Sequence, residues 1–226
     1  MIERPETFPT KRPDGQPLKP LTEVLLTRRA TRSFRPDAVP DEMLNAILRI
    51  GLQAPSGYNL QPWRFIVVRD ETNRKRLMAA AFNQPKVGEA PVVLIAFAMK
   101  NQWKEWAEEV FREGAERGSG SRDWKKYMDG ALQFLGTIQP EVWVNRHTMI
   151  AFTSLMLLAE SYGFDTAPME GFDGAAVKRE FGIPEEGEVV ALLAIGRAQG
   201  EDKPYGGRFE LNRIVFTERY GQPWDR

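Results

Sequence analysis

The chain has 226 residues, 42% of them hydrophobic and 27% charged, and its 31 cationic and 31 anionic side chains cancel. That length allows a sizeable core in one large or two small domains, while zero net charge gives no global pull toward nucleic acid or acidic membranes. The absence of cysteine excludes disulfides, thiolate catalysis and zinc–thiolate sites, and a single histidine, His147, excludes a His-rich metal site and allows a Ser/His triad only through itself.

Residues 1–20 carry Pro5, Pro9, Pro13, Pro17 and Pro20, a spacing that forbids a helix and favours an extended arm. Such an arm is either a leader without fixed structure or a strap across a neighbouring subunit. It shows no cationic start followed by an apolar run, so no secretory signal is read. The longest apolar stretch, 149–159, is too short for a membrane span. A cytoplasmic protein is expected.

Thr22 with Leu21, Val24, Leu25 and Leu26 opens a first helix. Pro40-Asp41-Glu42 starts a second, with Met43, Leu44, Ile47, Leu48 and Leu52 at helical spacing. Residues 65–68 and 92–97 read as buried strands with a helix over 71–81 between them. In 149–159, Ala151, Leu155 and Leu158 share one helical face while Phe152, Met156 and Ala159 fill most of the rest. A helix apolar nearly all round needs cover all round, which points to a subunit interface. Residues 189–195 form another strand and 213–216 a short last one. These elements predict a single α+β domain over 21–226, its central sheet flanked by helices.

Residues 100–136 break the pattern. Trp103, Trp106, Val110 and Phe111 make a narrow stripe among charges, and Gly118-Ser119-Gly120-Ser121 precedes Trp124 and Tyr127. The segment is either a surface helical excursion or a lid presenting aromatics to a ligand.

Several constellations can carry chemistry. Arg28-Arg29-Ala30-Thr31-Arg32 ends the first helix, where cations suit the helix dipole and where arginine also matches a ligand phosphate. Pro55-Ser56-Gly57-Tyr58-Asn59 prescribes a tight turn before the Trp63 strand. Asn83-Gln84-Pro85-Lys86 reads on its own as a solvated helix end. Pro168-Met169-Glu170-Gly171-Phe172-Asp173 reads as a loop after the apolar helix, and Gly206-Gly207-Arg208 lies near the C-terminus. No Gly-x-Gly-x-x-Gly, Walker A or Gly-x-Ser-x-Gly element is present. His147 reads as structural.

Together these residues resemble the nitroreductase family of FMN-dependent oxidoreductases, in order, over residues 21–216. The resemblance implies a three-layer fold with a mostly antiparallel sheet, an intertwined homodimer, non-covalent FMN, and NAD(P)H as reductant. It also implies Arg28 nearest the FMN phosphate, Arg32 nearest the ring, Arg29, Ala30 and Thr31 between them, and Arg208 returning to the phosphate. Ala30 and Gly206 stand where many relatives carry Ser and Lys; Arg29 or Lys203 can compensate. Pro55, Ser56, Gly57 and Asn59 reach the flavin held mainly by the other subunit. Asn83 meets the isoalloxazine edge and Lys86 the region where reduction places negative charge. Pro168 and Met169 lie against the flavin, with backbone N–H groups near Glu170 and Gly171 aimed at N5, and Trp124 and Tyr127 belong to the lid. Hydride transfer to a nitroaromatic or quinone in ping-pong fashion follows from the resemblance. Reductive dehalogenation, alkene reduction and non-catalytic flavin binding are the alternatives on the same scaffold. No metal site, nucleic-acid surface or membrane segment is expected.

Overall fold

A computed structural model of the chain describes residues 7–201 and 203–224. Along it run α1 (Leu21–Thr27), β1 (Phe34–Arg35), α2 (Asp41–Gly51), β2 (Trp63–Val68), α3 (Glu71–Ala80), α4 (Pro85–Glu89) and β3 (Val92–Met99). Then come α5 (Ala107–Glu116), α6 (Trp124–Leu135), α7 (Pro140–Ser161), β4 (Asp165–Met169), α8 (Gly174–Phe181), β5 (Gly187–Ala198) and α9 (Leu211–Ile214). Among the described residues no helix is long and apolar enough to cross a membrane.

β3 pairs antiparallel with β2 and with β5, and β4 pairs antiparallel with β5. β1 adds a short antiparallel pairing at the end of β5, Phe34 opposite Ala198. Period-two alternation divides the core. Val93 and Ile95 of β3, with Leu192 and Ala194 of β5, face Leu77, Val87 and Val177 of α3, α4 and α8. Val92, Leu94, Leu193 and Ile195 face Ile47 of α2 and Phe152, Leu155 and Ala159 of α7. Each fully buried aliphatic side chain contributes roughly 1.5–3 kcal/mol, so both faces of the sheet must be covered by helices. The expected α+β, mostly antiparallel three-layer architecture is the one found.

α7 begins at Pro140, well before residue 149, and packs so closely on α2 that a Cβ on Gly51 would lie 2.6 Å from Leu155 Cδ2. Its other side leaves Val142 and Ile150 exposed. The described part of the arm, 7–20, turns back on itself through a bridge between Lys11 and Pro17 and docks on its own chain. Lys19 N–H donates to Ser161 O, Ser161 Oγ to Lys19 O, and Tyr162 Oη to Pro9 O. Residues 1–6 lie outside the described residues.

Two local expectations are corrected. Residues 213–216 do not form a strand: α9 occupies Leu211–Ile214, and Phe216 makes only an isolated bridge to Pro223. A strand requires a neighbouring edge, and without one the segment closes its own bonds, Val215 N–H to Leu211 O. Pro168 and Met169 are not loop: they end β4, opposite Leu193 and Leu192. A proline is tolerated on such an outer strand because its missing N–H removes little from the ladder.

Candidate cofactor site

After α1 the chain turns at Arg28 and lies along β4. Ala30 forms a parallel bridge with Thr166, and Thr31 N–H donates to Thr166 O at 3.0 Å. Arg29 Nη1 donates to the carbonyls of Leu26 and Arg28. The Arg29 guanidinium also lies 5.2 Å from the ring centre of Tyr205, and Arg208 approaches the same ring at 5.8 Å. One tyrosine thus gathers two arginines from opposite ends of the sequence. Within this segment Arg28 Nε and Thr31 Oγ1 are buried and have no partner among the described residues. A buried polar group without a partner costs about 1–3 kcal/mol, so these two atoms are free to bond a ligand acceptor. Arg32 and Arg208 are exposed.

The helix carrying Lys86 is tied to this run. Glu89 Oε2 accepts from Ser33 Oγ at 2.8 Å and from Phe34 N–H at 3.1 Å. Just before α4, Phe82 and Asn83 adopt φ of 55° and 54°, a turn that sets Pro85 at the first helical position. Lys86 is half-buried, and desolvation, with Lys203 adding like charge, holds its pKa below the usual lysine value. No carboxylate among the described residues pairs with it. A partly desolvated, unpaired ammonium favours an anion beside it.

Gln84 Nε2 donates to Gly171 O at 2.7 Å, and Asp173 N–H to Ala80 O at 2.8 Å, so the loop after β4 rests on the turn before α4. The approach at Gly171 is tight: a Cβ there would sit 3.2 Å from Gln84 Nε2, so that side chain would have to give by a few tenths of an ångström. Asp173 then caps α8 through Ala175 and Ala176 N–H. Glu170 and Gly171 are exposed, and Pro168, Met169 and Glu170 line a cavity of about 320 Å³ with Met149, Phe152 and Ala191. Four of the five sequence constellations therefore meet in one chain.

The fifth does not join them. In the Pro55-Ser56-Gly57-Tyr58-Asn59 turn, Tyr58 and Asn59 have φ of 53° and 57°, and Ser56 Oγ accepts from Gln61 N–H. No hydrogen bond or ring contact among the described residues links it to Arg28, Arg29 or Arg32. It packs instead on α7, where a Cβ on Gly57 would lie 3.2 Å from His147 Nε2. The other His147 nitrogen, Nδ1, is 2.7 Å from Trp143 O and the ring lies on Trp143, a structural setting.

Tyr58 ties this turn to the 100–136 segment, with ring centres 6.1 Å from Phe111 and 6.0 Å from Tyr127. Trp103 is buried against Trp143 and serves the core, Trp124 is half-buried, and Tyr127 is half-exposed. Glu89 and Tyr205 carried no motif, and Gln84 and Tyr58, though inside the 83–86 and 55–59 segments, had no role of their own there. Each acts through a contact between segments far apart in sequence, and only Glu89 gave a local hint, one helical turn beyond Lys86.

Comparison with known proteins identifies the family. Residues 25–197 match the model of the nitroreductase family. The chain is 37% identical over 191 residues to a protein named NADH dehydrogenase from Thermus thermophilus, covering 84% of this chain and 92% of that one. It is 26% identical over 196 residues to the oxygen-insensitive NAD(P)H nitroreductase of Salmonella typhimurium, covering 80% and 90%. A nitroreductase structure from Exiguobacterium sibiricum in complex with FMN superposes with a TM-score of 0.79 at 25% identity, over 88% of this chain and 98% of the other. With a matched region running from the cation run to the end of β5, the chain belongs to the nitroreductase family.

Proposed function

We propose that this NAD(P)H-dependent flavin oxidoreductase passes a hydride to a nitroaromatic or quinone in a ping-pong sequence, on a site shared between two subunits. The observation that supports the reading is a chain of contacts: Tyr205 links Arg29 to Arg208, Glu89 links the Lys86 helix to the residues after the cation run, and Gln84 links that helix's entry turn to Gly171, while Arg28 Nε and Thr31 Oγ1 are buried without partners among the described residues. Bound FMN supplies the chemistry, a two-electron carrier that accepts hydride from one ligand and gives it to the next.

The chain's own residues bind, orient and polarise. Arg28, Thr31 and Arg208 hold the phosphate by charge-assisted hydrogen bonds. Arg32 and Lys86 stabilise negative charge that develops on reduction, which is electrostatic catalysis without proton transfer. Asn83 and the backbone at Glu170 and Gly171 would orient the ring, with Pro168 and Met169 against it. No histidine or cysteine enters any of these segments. Tyr127, exposed beside Tyr58 and Phe111, offers an aromatic face on which an aromatic acceptor would stack if this segment covers the site. Steady-state rates with nicotinamide and a quinone varied together are expected to give parallel double-reciprocal lines. Intersecting lines, showing both ligands bound at once, contradict this sequence.

Apolar side chains that one chain leaves exposed support a second subunit. Leu21, Leu25 and Leu26 of α1, Val142 and Ile150 of α7, and Phe209, Leu211 and Ile214 of the tail are all exposed. If they lie together in the dimer, they form the kind of patch that marks an association surface. Pro55, Ser56, Gly57 and Asn59, which among the described residues make no hydrogen bond or ring contact with the cation run in their own chain, would then complete the partner's site. A dimer is expected in sedimentation. Mixed dimers with Asn59→Ala in one subunit and Arg208→Ala in the other are expected to regain about one site of two. A fully active monomer excludes the shared-site arrangement.

A further inference from the structure

Glu160 ends an apolar run, Leu157-Leu158-Ala159, near the C-terminal end of α7 and is only 4% exposed. A carboxyl group in such a place is unfavourable unless something uses it. Its hydrogen-bond partner is Thr166 Oγ1, which donates to Glu160 Oε1 at 2.7 Å. Thr166 is also the residue on which the cation run is fixed, by its bridge to Ala30 and its carbonyl bond from Thr31 N–H. Glu160 is therefore one hydrogen bond away from the residue that fixes the cation run.

Three charged groups act on this carboxyl: Asp165 from β4, Arg28 from the segment after α1, and Lys19 from the arm. Burial raises its pKa to about 7; the Thr166 bond, Arg28 and Lys19 oppose the rise, and Asp165 adds to it. No hydrogen bond or ion pair joins Arg28 to Glu160, and Arg28 Nε is buried without a partner. The two groups act on one another through space.

We propose that Glu160 is a positioning residue for the cofactor phosphate, fixing the cation run through Thr166 and taking up one proton from solvent as the phosphate settles on that run. The inference rests on the assignment of the run to FMN. A phosphate at Arg28 neutralises the cation that favoured the ionised carboxylate and brings further negative charge near it. The neutral acid still accepts from Thr166, so the run keeps its place. FMN binding is thereby linked to protonation, and affinity falls as pH rises through the titration of Glu160 in the flavin-free protein. The phosphate's own second ionisation has the opposite sign, since binding the dianion releases protons.

The full chain, stripped of flavin and refilled, tests this by calorimetric titration with FMN in buffers of different ionisation enthalpy. At pH 7.5 the wild-type protein is expected to take up a substantial fraction of a proton per FMN, and its affinity to fall roughly fivefold to tenfold from pH 7 to 8.5. Glu160→Gln, which keeps the shape and removes the titration, is expected to bind FMN with no uptake and a flat profile over that range. Wild-type binding without uptake, or wild-type uptake in a folded Glu160→Gln protein, overturns the proposal. Should Glu160→Gln not fold, Thr166→Val serves. Losing the donor that favours the carboxylate is expected to move the decline to higher pH, and an unchanged midpoint counts against the coupling. Absence of FMN binding at every pH removes the cofactor assignment as well, whereas binding without proton uptake removes only the link to Glu160.

Discussion

Arg208→Ala is expected to weaken FMN binding roughly 10- to 100-fold. The range follows from about 1.5–3 kcal/mol for a hydrogen bond to a charged group. Arg208 is far from Arg28 in sequence, yet Tyr205 holds it beside Arg29, so its loss removes one arm of a grip that has few others. Ala30 offers no hydroxyl and Gly206 no ammonium, which leaves the remaining arginines to carry more of the phosphate's charge. Tyr205→Ala is expected to give a smaller loss of the same kind, since it frees both arginines without removing either. Lys75→Ala, which breaks only an exposed pair with Glu71, is the control and should leave affinity unchanged. Fluorescence of FMN released on dilution measures all four proteins. Equal affinities for wild type and Arg208→Ala exclude Arg208 from the phosphate site.

Lys86→Ala is expected to lower the flavin potential by on the order of 30–60 mV, equivalent to roughly 1.4–2.8 kcal/mol for two electrons, and to slow reduction by NAD(P)H about tenfold or more. A fixed cation beside developing negative charge favours the reduced state, and a half-buried one is screened less than a surface lysine. The sign with pH follows from its depressed pKa. Desolvation and Lys203 remove the Lys86 proton at lower pH than in an ordinary lysine, so the advantage fades earlier on the alkaline side. Lys203→Ala is expected to extend it to higher pH. His147→Asn, by contrast, is expected to leave reduction nearly intact in a folded protein, because the ring serves Trp143 and the Gly57 turn. Anaerobic stopped-flow reduction separates the cases: an unchanged potential and rate in Lys86→Ala, or lost reduction in folded His147→Asn, contradicts these roles.

The core was legible because it depends on local pattern. The continuous apolar runs of 92–97 and 189–195 and the apolar surface of 149–159 demand a sheet covered on both faces whatever the connections. The site was legible in its motifs but not in its fastenings. Glu89 holding Ser33, Gln84 holding Gly171, and Tyr205 between two arginines are contacts across dozens of residues that no spacing reveals. Residues 213–216 show the opposite failure. Their strand-like composition records what the segment can do beside an edge, whereas the single chain lets it close a helical turn. Pro168 and Met169 were masked by the proline, which reads as loop until an outer strand is available to hold it.

The measurement that bears most directly on the central claim is the visible spectrum of the purified protein, followed by anaerobic addition of NADH and NADPH separately. A yellow protein with about one FMN per chain is expected, bleached by at least one nicotinamide and recoloured by a quinone or nitroaromatic added after the nicotinamide is removed. Colourless protein that takes up no added FMN, or bound flavin that neither nicotinamide reduces, contradicts the account.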